Sequence, residues 1–215
     1  MTAFVPPPAA SSPGLADFLE RARTRLHSAP SGDARAGDHD LMPELRALVD
    51  SAAIREAAVL IPVIARPEPT VLLTLRSAHL PNHAGQIAFP GGKVDKTDTD
   101  AIATALREAE EEVGLERERV APLGYLDTYL TRTAFRISPV VALVEPGFGL
   151  TLNPGEVDEA FEVPLEFLMS PGNHQRHTRE ANGLTRTFHA MAYDQRFIWG
   201  VTAGILRNMY ERMYG

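Results

Sequence analysis

The chain has 215 residues, 44% of them hydrophobic, so it can bury one substantial core, and a single domain with extensions is expected. It contains no cysteine, which excludes a disulfide framework, thiolate zinc sites and a cysteine nucleophile, and fits a cytoplasmic protein. The net charge of -7 argues against a nucleic-acid surface, and the absence of any run of 18 apolar residues argues against a membrane span.

Residues 1–54 are predicted to form an extension that precedes the main domain. Residues 1–13 are rich in proline and predict a tail, without the basic head and apolar middle of a signal peptide. Apolar spacing predicts an amphipathic helix at residues 14–27 and a second helix at 43–53. These helices either pack on the core or form the contact of a homodimer, and packing is the favoured interpretation.

Two apolar runs, at residues 57–65 and 71–75, predict buried strands that form a hairpin. The chain then reaches the adjacent glycines Gly91 and Gly92. These glycines either let the backbone approach an oxyanion closely or make a tight turn, and the acidic segment that follows favours the first interpretation.

An amphipathic helix follows the glycines. Its apolar stripe consists of Ile102, Ala105, Leu106, Ala109 and Val113. Thr97, Asp98 and Thr99 are the candidates for its N-cap, and Gly114 stands where a left-handed C-terminal residue is expected.

The end of this helix carries a run of glutamates. Glu108 and Glu112 lie one turn apart at the margin of the apolar stripe, and Glu111 lies further from it. Like charges at this spacing repel by a few tenths of a kcal/mol, so a cation is expected between them. Carboxylate oxygens suit Mg²⁺ or Mn²⁺, although an acidic run of this kind on a helix is more often a solvated face.

The second half of the chain predicts further strands and a closing helix. Strands are predicted at residues 120–129 and 136–144, with Pro139 marking an edge position or an irregularity. A helical turn is predicted at 164–169, a hairpin of strands 174–179 and 185–193 around Asn182-Gly183, and a helix at 200–213. The hairpin carries a basic stretch that either is surface charge or holds substrate phosphates: Arg176, His177, Arg179 and Arg186.

The order of two glycines, an acidic loop, and then Arg107, Glu108, Glu111, Glu112 and Gly114 resembles the Nudix box. The usual loop glutamate is replaced by Asp98, which lies one residue further from the arginine than usual. This variant looks like the one in the coenzyme A pyrophosphatase branch, and residues 72–77 and 85–92 are similar to that branch's second signature. The usual arginine of that signature falls at Pro81 here.

The resemblance implies an α/β class protein with the Nudix fold, an α/β/α sandwich in which a mixed sheet lies between helices and the box forms a loop-helix-loop. It places the Nudix domain at residues 55–215. It also implies that Glu108, Glu111 and Glu112 hold Mg²⁺ or Mn²⁺, and that Arg107 braces the loop by a salt bridge.

The implied reaction is hydrolysis of coenzyme A or its thioesters to 3′,5′-ADP and 4′-phosphopantetheine. One of the glutamates, or a loop acid such as Glu159, would accept the proton of the attacking water. The expected substrate contacts are Arg76, Gln86, Phe89, Gly91 and Gly92. The alternatives are another capped diphosphate as substrate, such as an ADP-sugar or a dinucleotide, and a nucleotide-binding module without turnover.

Overall fold

The computed structural model describes residues 13–181 and 184–215, and this part of the chain contains four α-helices and twelve strands. The helices are α1 (Pro13–Arg25), α2 (Ala101–Val113), α3 (Leu165–Leu168) and α4 (Val201–Met213). The strands before α2 are β1 (Ala36–Gly37), β2 (Arg55–Ile64), β3 (Thr70–Arg76), β4 (Ile87–Ala88) and β5 (Gly91–Lys93). Those after α2 are β6 (Val120–Tyr125), β7 (Tyr129–Leu130), β8 (Phe135–Val144), β9 (Val157–Pro164), β10 (Gln175–Ala181), β11 (Leu184–Tyr193) and β12 (Arg196–Trp199).

The main sheet is mixed, and its centre is made by the most apolar strands. β2 and β8 run parallel and pair along their whole length, from Arg55 opposite Phe135 to Ile64 opposite Val144. The sheet has the order β1-β7-β8-β2-β3-β4, and β5, β6 and β9 pair with β2, β8 and β3 respectively. Strands with both faces apolar require cover on both sides, and helices supply it here.

Helices cover the two faces of this sheet. On one face, α2 buries Ala105, Ala109 and Val113 against β2 and β8. On the other face, α1 and α4 contribute Phe18 and Met209 to a second core cluster. This arrangement is the predicted α/β/α sandwich with a mixed sheet, which is therefore confirmed. A smaller antiparallel sheet, β10-β11-β12, packs beside α4.

Several predicted elements are present with small shifts at their ends. α1 and α4 correspond to the helices predicted at 14–27 and 200–213, and α3 is the predicted helical turn. β2 and β3 pair as the expected hairpin, although only at Val63 opposite Val71 and at the next position. β10 and β11 also pair as expected, while the predicted Asn182-Gly183 turn lies outside the described residues.

Two predictions are corrected, and one open alternative is decided. The helix expected at 43–53 is two short 3-10 helices, because Val49 between them adopts an extended backbone with φ -82° and ψ 114°. The strand expected at 120–129 divides into β6 and β7. Pro139 marks the irregularity between these two strands and not an edge, since Leu126 N donates to its carbonyl oxygen at 3.1 Å there. β1, β4, β5, β9 and β12 were not predicted, and β9 places Glu159, expected in a loop, within a strand.

The N-terminal segment is joined to the rest of the fold. β1 pairs in parallel with β7, and Phe18 of α1 is fully buried in the core beside α4. Packing of the first helix on the core, the favoured interpretation from sequence, is what the structure shows. Within residues 13–181 and 184–215, none of the helices combines the length and the apolar character needed to cross a bilayer.

Candidate active site

The glutamate-bearing helix α2 is fixed at both ends by local contacts. Its N-cap is Asp100, whose side chain accepts a hydrogen bond from Ala103 N at 2.8 Å. This corrects the three candidates Thr97, Asp98 and Thr99 named from sequence. At the other end Gly114 adopts the expected left-handed conformation, with φ 69° and ψ 24°.

Asp98 did not cap the helix because its carboxylate is held by Arg107. Arg107 Nε and Nη2 donate to the two Asp98 oxygens at 3.0 and 2.9 Å, and Nη2 also donates to Lys93 O at 3.1 Å. Thr104 Oγ1 adds a hydrogen bond at 2.9 Å. The Arg107 guanidinium holds the pKa of Asp98 far below its usual range. The arginine thus makes the loop-bracing salt bridge that the resemblance implied.

The two stacked carboxylates lie against the two glycines. Gly91 N donates to Glu112 Oε2 at 3.2 Å. A Cβ atom added to Gly92 would lie 2.5 Å from the Glu108 carboxylate, so only glycine permits this approach. Both glycines belong to β5, which pairs with β2, and therefore they do not form a tight turn.

Glu112 is buried, and its burial outweighs the groups that stabilise its charge. Its side chain is 2% exposed, and burial raises its pKa to about 7. The hydrogen bond from Gly91 and the Arg76 guanidinium, whose Nη1 lies 3.6 Å away, lower the pKa, whereas the charge of Glu108 raises it. A buried carboxylate in this state is stabilised by any cation that reaches it.

Glu108 shares this burial but has its own arginine. Its side chain is 16% exposed, and burial raises its pKa, while Arg107 Nη1, 2.7 Å from its oxygen, opposes the rise. Glu111 differs from both, because its side chain is 58% exposed and its carboxylate contacts the same Arg107 nitrogen at 3.2 Å. The structure therefore brings Glu108 and Glu112 together and directs Glu111 towards solvent.

A fourth acid near the pair is Glu156, which sequence analysis did not choose. Its charge raises the pKa of both Glu108 and Glu112. Asn153 Nδ2 donates to its Oε1 at 3.1 Å, and Asn153 N donates to Glu112 O at 2.9 Å. Glu159, the acid named from sequence, is instead paired with Arg196.

The acids do not form a closed set of ligands. In the ranges 13–181 and 184–215, no three histidine, cysteine or acidic side chains converge closely enough to hold a metal ion without rearrangement. What the structure provides is a buried pair, Glu108 and Glu112, with Glu156 close by.

A cleft of about 580 Å³ opens on the sheet face opposite α2, and its lining does not include Glu108, Glu111, Glu112 or Glu156. All five residues predicted to contact substrate line it: Arg76, Gln86, Phe89, Gly91 and Gly92. Arg76 and Gly91 connect the cleft to Glu112, since each also contacts its carboxylate. Arg76 Nε is buried and has no hydrogen-bond partner among the described residues. An anion in the cleft would satisfy it.

The walls of the cleft combine aromatic and cationic side chains. The lining includes the aromatic residues Phe135, Phe188 and Trp199 and the cations Lys93, Arg132 and Arg186. The segment before β2 supplies an apolar wall with Leu41, Met42 and Leu45. Of the basic stretch on the hairpin, Arg186 lines this cleft, and Arg176, His177 and Arg179 do not.

Comparison with known proteins places this geometry in context. The family model described as the NUDIX domain matches residues 54–184. An uncharacterized Nudix hydrolase NudL from Photorhabdus laumondii is 39% identical over 199 residues, covering 93% of this chain and 97% of the relative. The NudL of Escherichia coli K12, also uncharacterized, is 44% identical over 155 residues, covering 72% and 81%.

Solved structures with lower similarity were also found. The binary complex of a C. elegans Ap4A hydrolase is 22% identical, with a TM-score of 0.45, and the match covers 51% of this chain and 80% of that one. The NUDIX domain of Shewanella oneidensis NrtR, complexed with ADP ribose, is 20% identical with a TM-score of 0.42, covering 60% and 86%.

Proposed function

This chain belongs to the NUDIX family of hydrolases, and from that premise we propose that it cleaves the diphosphate of coenzyme A or of its thioesters. The products would be 3′,5′-ADP and 4′-phosphopantetheine or its acylated form.

The observation that supports this substrate is the continuity between the buried carboxylates and the cleft. Arg76 and Gly91 belong to both, so a diphosphate at this point would meet the carboxylates on one side and the cleft on the other. A nucleotide base stacks on aromatic rings, and such rings line the cleft. The apolar wall of Leu41, Met42 and Leu45 matches the thin, weakly polar arm of a pantetheine group.

Nudix hydrolases generally use divalent metal ions such as Mg²⁺ or Mn²⁺, and the donors present here fit such an ion. Glu108 and Glu112 offer carboxylate oxygens, and burial raises the pKa of both carboxyl groups, so a cation would remove an unfavourable arrangement. We propose these two as its principal ligands, with Glu111 joining after it leaves Arg107. When bound, the ion supplies charge neutralisation of the diphosphate and a more acidic water.

The remaining steps fall to side chains of the chain itself. Arg76 positions the diphosphate, because its Nε lacks a hydrogen-bond partner within the described part of the chain and its Nη1 lies beside Glu112. We propose Glu156 as the acceptor of the water proton, since it is the further acid whose charge acts on Glu108 and Glu112. Glu159 would first have to leave Arg196 to take this role. Glu156→Gln should therefore lower kcat much more than Glu159→Gln.

Product analysis over a panel of coenzyme A, acyl-coenzyme A, ADP-ribose and NADH tests the proposal. Release of 3′,5′-ADP from coenzyme A or its thioesters, with the largest kcat/KM of the panel, is the expected result. Preferential cleavage of ADP-ribose or NADH would assign a different capped diphosphate. Cleavage of none, in the presence of Mg²⁺ or Mn²⁺, would indicate a binding module.

A further inference from the structure

A second cavity, of about 500 Å³, lies where the N-terminal segment meets the small sheet and α4. It is separate from the glycines and from the glutamates of α2. Four arginines from three parts of the chain line it: Arg35 before β1, Arg176 on β10, and Arg207 and Arg212 on α4. Two of the acids that line the cavity, Glu211 and Asp127, are already paired with two of these arginines.

Glu211 accepts from Arg207 Nε at 2.7 Å, and Asp127 lies 3.1 Å from Arg212 Nη1. The third lining acid, Asp40, is exposed, accepts a hydrogen bond from Gly37 N at 3.0 Å and lies 3.7 Å from His39 Nε2. Across residues 13–181 and 184–215, Arg35 and Arg176 have no ion pair and no side-chain hydrogen bond. Four arginines and three acids line the cavity, so its lining keeps one net positive charge.

The interior of the cavity contains two buried side-chain nitrogens without a hydrogen-bond partner among the described residues. His189 lines it, and its Nδ1 is buried without a hydrogen-bond partner in the described part of the chain. Arg212 Nε is also buried and has no hydrogen-bond partner in the described part of the chain. Burial first, and then the charges of Arg207 and Arg176, lower the pKa of His189 to about 4, so the arginines make the potential at this imidazole more positive. Buried donors and a positive potential together favour an anion.

We propose that this cavity is a binding site for a phosphomonoester group. A guanidinium donates in a planar fork that matches phosphate oxygens, and a dianion with three free oxygens can use several such forks at once.

The position of the cavity suggests two sources for that group. Leu41 and His189 line both this cavity and the substrate cleft, so the two spaces are neighbours. The phosphate is therefore either a remote 3′-phosphate on the nucleotide bound in the cleft or a separate phosphate anion. The first source rests on the proposed function; the second does not depend on it.

Calorimetry on the full chain distinguishes these sources with three probes: adenosine 3′,5′-bisphosphate, 5′-AMP and inorganic phosphate. If the cavity takes the 3′-phosphate, the bisphosphate binds at least about tenfold more tightly than 5′-AMP, as expected for one charge-assisted phosphate site. Arg176→Ala abolishes that difference, and Arg176→Lys restores part of it. If the source is a free anion, inorganic phosphate binds alone and Arg176→Ala weakens it by the same factor.

Arg179→Ala is the matched control, because Arg179 is an exposed arginine on the same strand that lines neither cavity. It should bind all three probes like the unaltered chain. Equal binding of bisphosphate and 5′-AMP, together with phosphate binding that is absent or insensitive to Arg176→Ala, would overturn the proposal. Because the readout is binding and not turnover, loss of the proposed coenzyme A activity alone would leave this result interpretable.

Discussion

Replacing Glu112 by glutamine should abolish turnover and at the same time stabilise the metal-free protein above neutral pH. The carboxylate is 2% exposed, and burial raises its pKa from 4.5 to about 7. The folded state then holds its proton more tightly than the unfolded state, so stability is retained below pH 4.5 and lost as the pH rises through 7. The ionised carboxylate costs about 3 kcal/mol at pH 8 and less than about 1 kcal/mol at pH 5.

Glutamine removes the charge but keeps an oxygen to accept from Gly91 N. In EDTA at pH 8, Glu112→Gln should therefore unfold at a higher temperature, by about 6–12 °C for a chain of this size. At pH 5 the difference should be small. Mg²⁺ should stabilise the unaltered protein and not the variant.

Urea and thermal unfolding, followed by the fluorescence of Trp199 at both pH values, measure this effect. Glu110→Gln is the control, since Glu110 lies on the same helix with its side chain 48% exposed and paired with Arg117. A variant that turns over like the unaltered enzyme would refute the assigned role of Glu112. The electrostatic reasoning would be refuted if the stability of the variant, measured relative to the unaltered protein, were lower at pH 8 than at pH 5.

Three further substitutions test the surroundings of this residue. Gly92→Ala places a Cβ atom 2.5 Å from the Glu108 carboxylate and forces this flexible side chain to move, so kcat should fall at least tenfold in a steady-state assay, whereas the free energy of unfolding in urea should change little. Asp98→Asn breaks the pair with Arg107 and should destabilise the fold by about 3 kcal/mol at neutral pH. Because the pKa of Asp98 is depressed, this loss should fade as the pH falls below 3.8. Arg76→Ala should raise KM about tenfold in the same assay.

Each of these has a control within the chain. Gly149→Ala adds a methyl group where no atom lies within 4 Å, and Asp95→Asn changes an exposed acid of the same loop. Arg76→Lys keeps the charge and should recover part of the affinity. A normal kcat in Gly92→Ala, a normal stability in Asp98→Asn, or an unchanged KM in Arg76→Ala would contradict the corresponding prediction.

Features set by local sequence were predictable, and features set by tertiary contacts were not. The apolar stripe of α2 and the left-handed Gly114 follow from residue type and spacing alone. The choice of Asp100 as N-cap does not follow from sequence, because four neighbouring residues have suitable side chains. Asp98 is not available as a cap because its carboxylate is bound by Arg107. In the same way, the break at Val49 leaves no mark in the helical spacing of residues 43–53.

The identity of the additional acid shows this limit at the site itself. Glu156 and Glu159 belong to one acidic cluster, and nothing in their spacing ranks them. Glu159 lies within β9 opposite Leu75 and is paired with Arg196, whereas Glu156 lies in the turn before that strand, bound by Asn153. Their environments differ because the register of β9 on β3 places Glu159 within the strand and Glu156 before it. The second cavity was equally hidden, since its arginines are far apart in the chain.

The way in which α1, β1 and α4 join the sheet has a practical consequence for recombinant fragments. A fragment trimmed to the family match, residues 54–184, would omit Phe18, Leu206 and Met209, all of them shielded from water in the intact chain. The loss of these residues would expose an apolar face of the sheet to water, and such a fragment should precipitate or be degraded during expression. It would also lack one wall of each cavity. The family match therefore covers less of this polypeptide than its folding requires.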